Sequence, residues 1–138
     1  LAARELQRGT LQLIDEIAPY RHMGIVPPAL QLLINRVHPV SSNAKLIKQA
    51  LHEMFEGHAG VHVLNTDVPA IEAYPRASTR GLPVHRLEYR QPHGRVAPAA
   101  LDTMQALAGE LFPEWRERFA LVTGRPDEAK GGRHGRRS

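Results

Sequence analysis

The sequence predicts an α/β fold in which helices pack against parallel strands. Three observations carry this. Helix-period and strand-like segments alternate along the 138 residues. The segment 29–37 is apolar on both faces rather than alternating, as a parallel strand covered by helices would be. Proline and glycine punctuate the joins between segments.

The elements follow in order. Residues 2–18 read as a helix, because Leu6, Thr10, Leu13, Ile14 and Ile17 recur on one face of a 3.6-residue period. Pro19 is read as its stop, and Gly9 weakens its middle by roughly 1 kcal/mol relative to alanine. Pro27-Pro28 breaks the chain before the strand at 29–37, which Pro39 ends. Ser41, Ser42 and Asn43 offer N-caps for a helix at 44–56. That helix places Leu46, Ile47, Ala50, Leu51, Met54 and Phe55 on one face, with Gly57 as its stop. Residues 61–64 read as a second strand, 70–80 as a short helix bent near Pro75, and 83–88 as a third strand. A helix at 97–112 has Pro98 in its first turn and an apolar face of Leu101, Met104, Leu107, Ala108, Leu111 and Phe112. Trp115, Phe119 and Leu121 extend it as a short appendage. The expected organisation is one α/β region over 1–123 and a Gly/Arg-rich tail over 124–138, read as disordered.

Composition narrows the function classes. Cysteine is absent, which excludes disulfides and thiolate chemistry. No apolar run reaches the roughly 20 residues of a membrane span. The net charge of +4 is concentrated: residues 124–138 carry +3 and residues 76–95 carry +4, which leaves −3 on the remainder. Local clusters of this kind suit nucleic acid or another acidic surface. Three strands leave an apolar sheet edge open, and the chain starts at Leu1 rather than Met. The open edge leads us to expect a missing partner, whether an N-terminal half, a second chain or both, and the Leu1 start fits a fragment, a processed chain or an alternative start equally.

Motif reading yields no catalytic constellation and no metal site. His52-Glu-Met-Phe-Glu56 begins like a zinc-protease motif, but Glu56 stands where the second histidine is needed. His58 and His62 are four apart, yet Gly57 and Gly60 argue against a helix that would make them converge. Ser41, Ser42 and Ser78 lack a nucleophile-elbow context.

Several segments stand in a suggestive order: the opening Leu1-Ala-Ala-Arg-Glu-Leu6, the strand ending Ile34-Asn35-Arg36, Thr66-Asp67-Val68-Pro69, Gly81-Leu82-Pro83-Val84, and the closing helix Ala106-Leu-Ala-Gly-Glu-Leu111. From Leu1 to about Trp115 this order resembles the C-terminal half of a ParA-type partition ATPase, the deviant Walker P-loop family that includes MinD. The resemblance implies the second half of a P-loop NTPase-like fold: a partial parallel sheet with flanking helices. It implies an adenine pocket in which Asn35 faces the base, Arg36 follows at the rim, and Asp67, Val68 and Pro69 form the other wall. An amide suits that role because it offers both a donor and an acceptor to a base edge. It also implies ATP and Mg as cofactors of the intact family, a homodimer, and a ParB-type centromere-binding partner. Non-specific DNA binding would use Arg76, Arg80, Arg86, Arg90 and Arg95, in the cytoplasm on the nucleoid. Arg86 and Arg90 would share a face if the last strand continued.

The family's phosphate loop and Walker B aspartate are not found in the sequence. The tail segment Lys130-Gly-Gly-Arg-His-Gly-Arg-Arg-Ser138 imitates the loop, but Arg136 replaces the lysine, the serine falls one place late and no helix follows. The chain alone is therefore expected not to hydrolyse ATP. The alternative expectation is a non-enzymatic DNA-binding or protein-interaction module derived from the same fold. Membrane targeting in the manner of MinD is not expected, because the tail has no apolar face.

Overall fold

The computed structural model describes residues 2–26 and 28–124. Pro27 and the tail from Arg125 onward, including the Lys130–Ser138 segment, lie outside the described residues. The elements are α1 (Ala2–Arg21), β1 (Leu30–Leu32), β2 (Asn35–Val37), α2 (Ser42–Phe55), β3 (Val61–Val63), β4 (Val68–Pro69), α3 (Ala73–Arg80), α4 (Val84–Leu87), α5 (Ala100–Leu111), a 3-10 turn (Pro113–Trp115) and α6 (Arg116–Ala120). This is a mixed α/β chain whose strands pair in parallel. The described residues divide into two compact units, one made of residues up to 34 with 41–65, the other of residues 35–40 with those from 66 on.

In the first unit β1 pairs with β3 in parallel, Leu30 opposite Val61 and Leu32 opposite Val63. Parallel partners need a crossover of a dozen residues or more, and α2 supplies it. Leu51 and Phe55 of α2 and Val61 and Val63 of β3 form the buried core, against which Ile14, Leu30, Leu32, Ile34 and Met54 pack. Lys48 Nζ donates to the Asn65 carbonyl and closes the end of this unit.

In the second unit β2 pairs with β4 in parallel, Asn35 opposite Val68 and Val37 opposite Pro69, with an irregularity between the two positions. The core here is built from small side chains: Ala73, Ala77, Ala97, Ala99 and Ala100 are buried together with Val68. Gly81, at φ 60°, ends α3 in the left-handed conformation, and its N–H reaches back to the Ala77 and Ser78 carbonyls. Past α5 the Gln105 amide donates to the Phe119 and Val122 carbonyls, at 3.0 and 2.9 Å, and fixes the course of the chain toward Gly124.

The structure corrects several expectations. The strand at 29–37 is two short strands, because β1 pairs with β3 while β2 pairs with β4. Nor is the whole run buried, since Asn35 and Arg36 are both exposed. The first pair is not buried on both faces, since Gln31 and His62 are exposed. The third strand, 83–88, is instead helix α4. Its apolar residues Val84 and Leu87 stand three apart, a helical rather than a strand spacing, and the tie from Leu101 N to the Glu88 carbonyl, 3.1 Å, holds its end against α5. Pro19 does not stop α1, which runs on to Arg21. The proline removes its own N–H bond and crowds the carbonyl one turn back, and the helix ends two residues later. Pro98 lies before α5 rather than in its first turn, the N-cap being Ala99. The apolar faces are narrower than their periodicity suggests. Leu46 and Ile47 of α2 are 63% and 53% exposed, and Leu6, Leu13 and Phe112 are also exposed.

These burial differences set a stability contrast. Phe55→Ala empties the centre of the first core and is expected to cost about 3–5 kcal/mol. Leu46→Ala on the exposed face of the same helix is expected to change stability by no more than about 0.5 kcal/mol. Urea unfolding of the two variants beside the parent checks both values.

Candidate functional site

The sequence-predicted nucleotide residues are brought together. Asn35 opens β2 and stands opposite Val68 of β4, with Asp67 before it and Pro69 opposite Val37. Residues 33 places apart in sequence thus become neighbours through parallel pairing. The segment is anchored from outside the strands as well: Glu110 of α5 accepts the Thr66 N–H at 2.8 Å, and the Ala70 N–H donates to the Val37 carbonyl at 2.8 Å. Asn35 begins a strand rather than ending one, which differs from expectation. Its side-chain oxygen accepts the Arg36 N–H at 2.8 Å, while the residue itself is exposed.

Arg36 adopts φ 58°, the sole left-handed non-glycine backbone among the described residues. Such a conformation costs a residue with a Cβ about 1–2 kcal/mol. Strain of this kind concentrates at functional positions, and here it coincides with the irregularity of the β2–β4 register between Asn35 and Val37. Val68 and Pro69 are buried, and Asn35 and Arg36 are exposed, so the edge combines an apolar wall with polar groups facing water.

The five arginines separate into different roles. Arg76 and Arg80 lie on α3, Arg86 on α4, and Arg90 and Arg95 in the loop 88–99. The strand that was to align Arg86 with Arg90 does not exist, so those two share no strand face. Arg76 and Arg90 line a cleft of about 320 Å³ together with Ala73, Glu88, Tyr89 and Pro92. Arg80 and Arg86 are exposed but do not line it. The Arg90 guanidinium lies over the Tyr89 ring, 6.0 Å from its centroid.

Arg95 is committed inside the protein. It grips the Glu88 carboxylate in a bidentate pair, Nη1 and Nη2 each donating over 2.7 Å. Nη2 also reaches the Pro98 carbonyl at 2.9 Å, and Nε the Ala97 carbonyl at 3.2 Å. The same Glu88 carboxylate accepts the Ala100 N–H at 3.0 Å, in the first turn of α5. That places negative charge where the helix dipole favours it. The Arg95 pair first, and the Ala100 N–H with it, hold the Glu88 carboxyl below its ordinary range against an opposing effect of burial. The carboxylate likewise raises the Arg95 guanidinium above its ordinary value. Arg95 takes Glu88 as its ion-pair partner, and Arg76 adds a weaker charge interaction with the same carboxylate; Arg76 and Arg90 are the cleft's other cations. Neither makes an ion pair among the described residues.

Glu88 and Glu110 are the positioning residues that motif reading missed. A signal for each was present: a lone carboxylate just before a Gly/Pro-rich loop, and another within the apolar closing helix. Behind the cleft, burial pushes the Tyr74 phenol up. It neighbours the Thr103 hydroxyl, although neither oxygen completes a hydrogen bond of full geometry. Among the described residues no group of three or more His, Asp or Glu side chains converges as a metal site. No described helix is long and apolar enough to cross a membrane.

No family model, curated protein or solved structure matches the chain.

The clasp has a pH signature. A carboxyl depressed in the folded state contributes stability above its unfolded pKa and loses it as pH falls through the folded pKa. Unfolding midpoints measured from neutral pH down into the acid range should therefore drop, and Glu88→Gln should flatten that drop. At neutral pH the substitution should cost about 1–3 kcal/mol through the weakened charged hydrogen bonds.

Proposed function

We propose that the chain is the C-terminal portion of a ParA-type partition ATPase, with the adenine side of the nucleotide site at the β2–β4 edge. The observation that carries this reading is the parallel pairing of Asn35 with Val68. The two segments that the resemblance assigns to the base meet side by side, and a strained Arg36 adjoins them. A buried Val68–Pro69 wall beside an exposed amide offers the mixture of apolar surface and hydrogen bonding that a purine needs. Dimerisation with ATP and Mg, engagement of a ParB-type protein and sequence-independent DNA binding are the activities of the whole protein in this reading. The 138 residues lack a phosphate loop, so the chain by itself binds the base weakly and does not turn ATP over.

A second reading is favoured by the exposed arginines. A non-enzymatic DNA-binding module of the same descent would use Arg76 and Arg90 without nucleotide. The two readings part on adenine binding.

Ligand-observed NMR on the adenine protons of ADP tests the first. Binding on the order of 1 mM is expected when only the base is held. Asn35→Ala should weaken it about fivefold, the worth of one hydrogen bond of about 1 kcal/mol. Equal binding by parent and variant would remove Asn35 from the site, and no adenine signal at all would leave the module reading in its place.

Arg36→Gly separates strain from function. It should keep stability level or raise it by up to about 1 kcal/mol, since glycine accepts a positive φ freely. Magnesium-dependent phosphate release by the purified chain would overturn the expectation that it does not hydrolyse ATP.

A further inference from the structure

A cavity of about 240 Å³ lies in the first unit, between one stripe of α1 and the starts of β1 and β3. Ile14, Ile17 and Arg21 line it from the helix side, and their spacing of three and then four residues puts them on one face. Leu30 and Gly60 line it from the strand side. The space beside Gly60 is open, since a Cβ placed there would meet nothing within 4 Å. Backbone groups at the strand starts are already engaged. The Leu30 N–H donates to the Gly60 carbonyl at 2.8 Å, and the Val61 N–H to the His58 carbonyl at 3.0 Å. Among the described residues lining the cavity, Arg21 is the only one with a charged side chain. It makes no ion pair among the described residues. Native interiors do not leave apolar space of this size unfilled, and apolar walls hold water poorly.

We infer that this cavity binds a small alkyl carboxylate, its chain against Ile14, Ile17 and Leu30 and its carboxylate on Arg21. The site lies wholly in the first unit and goes beyond the nucleotide reading, which concerns the second. Charge and length select the ligand. Apolar walls with one cation at an end suit a molecule that is apolar along its length and anionic at one tip. Ile14 packs against the Leu51, Phe55, Val61 and Val63 core and marks the apolar end. Arg21 lies about 10 Å further along the helix axis, a distance that an extended chain of about eight carbons reaches. Arg21 is exposed, so its guanidinium meets the carboxylate at the mouth and no bare charge is buried. The negative end of α1 does not oppose the anion strongly. The Pro19 carbonyl accepts the His22 N–H, the Tyr20 carbonyl accepts those of Met23 and Ile25, and the Arg21 carbonyl accepts that of Gly24.

The test is a methyl NMR titration of the full chain, labelled at isoleucine and leucine, with octanoate, octanol and octylamine in turn. Octanoate should bind with a Kd on the order of 1 mM, as expected for so small a ligand, and should move the Ile14, Ile17 and Leu30 methyl signals. Octanol should bind more weakly and octylamine most weakly. Arg21→Gln changes an exposed side chain and leaves the fold intact. It should weaken octanoate about fivefold and leave octanol binding unchanged, which separates lost charge from lost packing. No shift with octanoate at about ten times that Kd, or shifts centred on other methyls, would overturn the site. Octylamine binding as tightly as octanoate, or an Arg21→Gln variant that binds octanoate like the parent, would overturn the carboxylate. Ile14 and Ile17 signals that move on dilution of the protein alone would give the cavity to a second copy of the chain and overturn the small ligand.

Discussion

Parallel pairing is the constraint on which the molecule depends. Two parallel strands cannot be joined by a tight turn; the chain has to leave, cross and return. Here a single excursion through α2 serves both pairs. The chain runs out through β1 and β2, crosses, and comes back through β3 and β4, so each outgoing strand meets its returning partner. The first pair draws its stability from the Leu51, Phe55, Val61 and Val63 core. The second has few large side chains to bury, and polar ties hold its β4 segment: Glu110 on the Thr66 N–H and the Val37 carbonyl on Ala70.

The second unit shows how a region with an alanine-rich core is fixed by directed interactions. Glu88 does three things at once. Its backbone carbonyl receives Leu101, its carboxylate receives Ala100, and the same carboxylate pairs with Arg95. Arg95 in turn collects the Ala97 and Pro98 carbonyls. A loop that would otherwise have only a few apolar contacts is closed around one ion pair and delivered onto the start of α5. The pair is partly exposed, so its value lies less in Coulomb energy than in satisfying several backbone groups together. Tyr89 and Arg90 are held at the cleft as a consequence.

Much of this was legible in the sequence, and the misses have physical causes. The long helices and the parallel character of the strands follow from periodicity and punctuation. The extent of 29–37 does not, because an apolar run carries no mark of where one partner strand gives way to another. The segment 83–88 spaces Val84 and Leu87 three apart, as a helix does, and tertiary ties at Glu88 hold its end. Periodicity also overstates burial: Leu46 and Ile47 share the α2 face with Leu51 and Phe55, yet they lie beyond the reach of the small first core. Among the arginines, charge alone could not distinguish Arg95, which is ion-paired with Glu88, from Arg76 and Arg90, which make no ion pair among the described residues. That distinction depends on which carboxylate folds onto which cation.

The central claim is that a purine is held at the β2–β4 edge. Amide chemical-shift mapping of the labelled chain during an ADP titration tests it most directly, because it reports where the ligand sits as well as whether it binds. The account predicts shifts confined to residues 35–37 and 66–70, the two segments joined by strand pairing. Shifts centred instead on Arg76, Tyr89 and Arg90 would show that ADP is read as an anion by the arginine cleft and would contradict the assignment of a base site to Asn35.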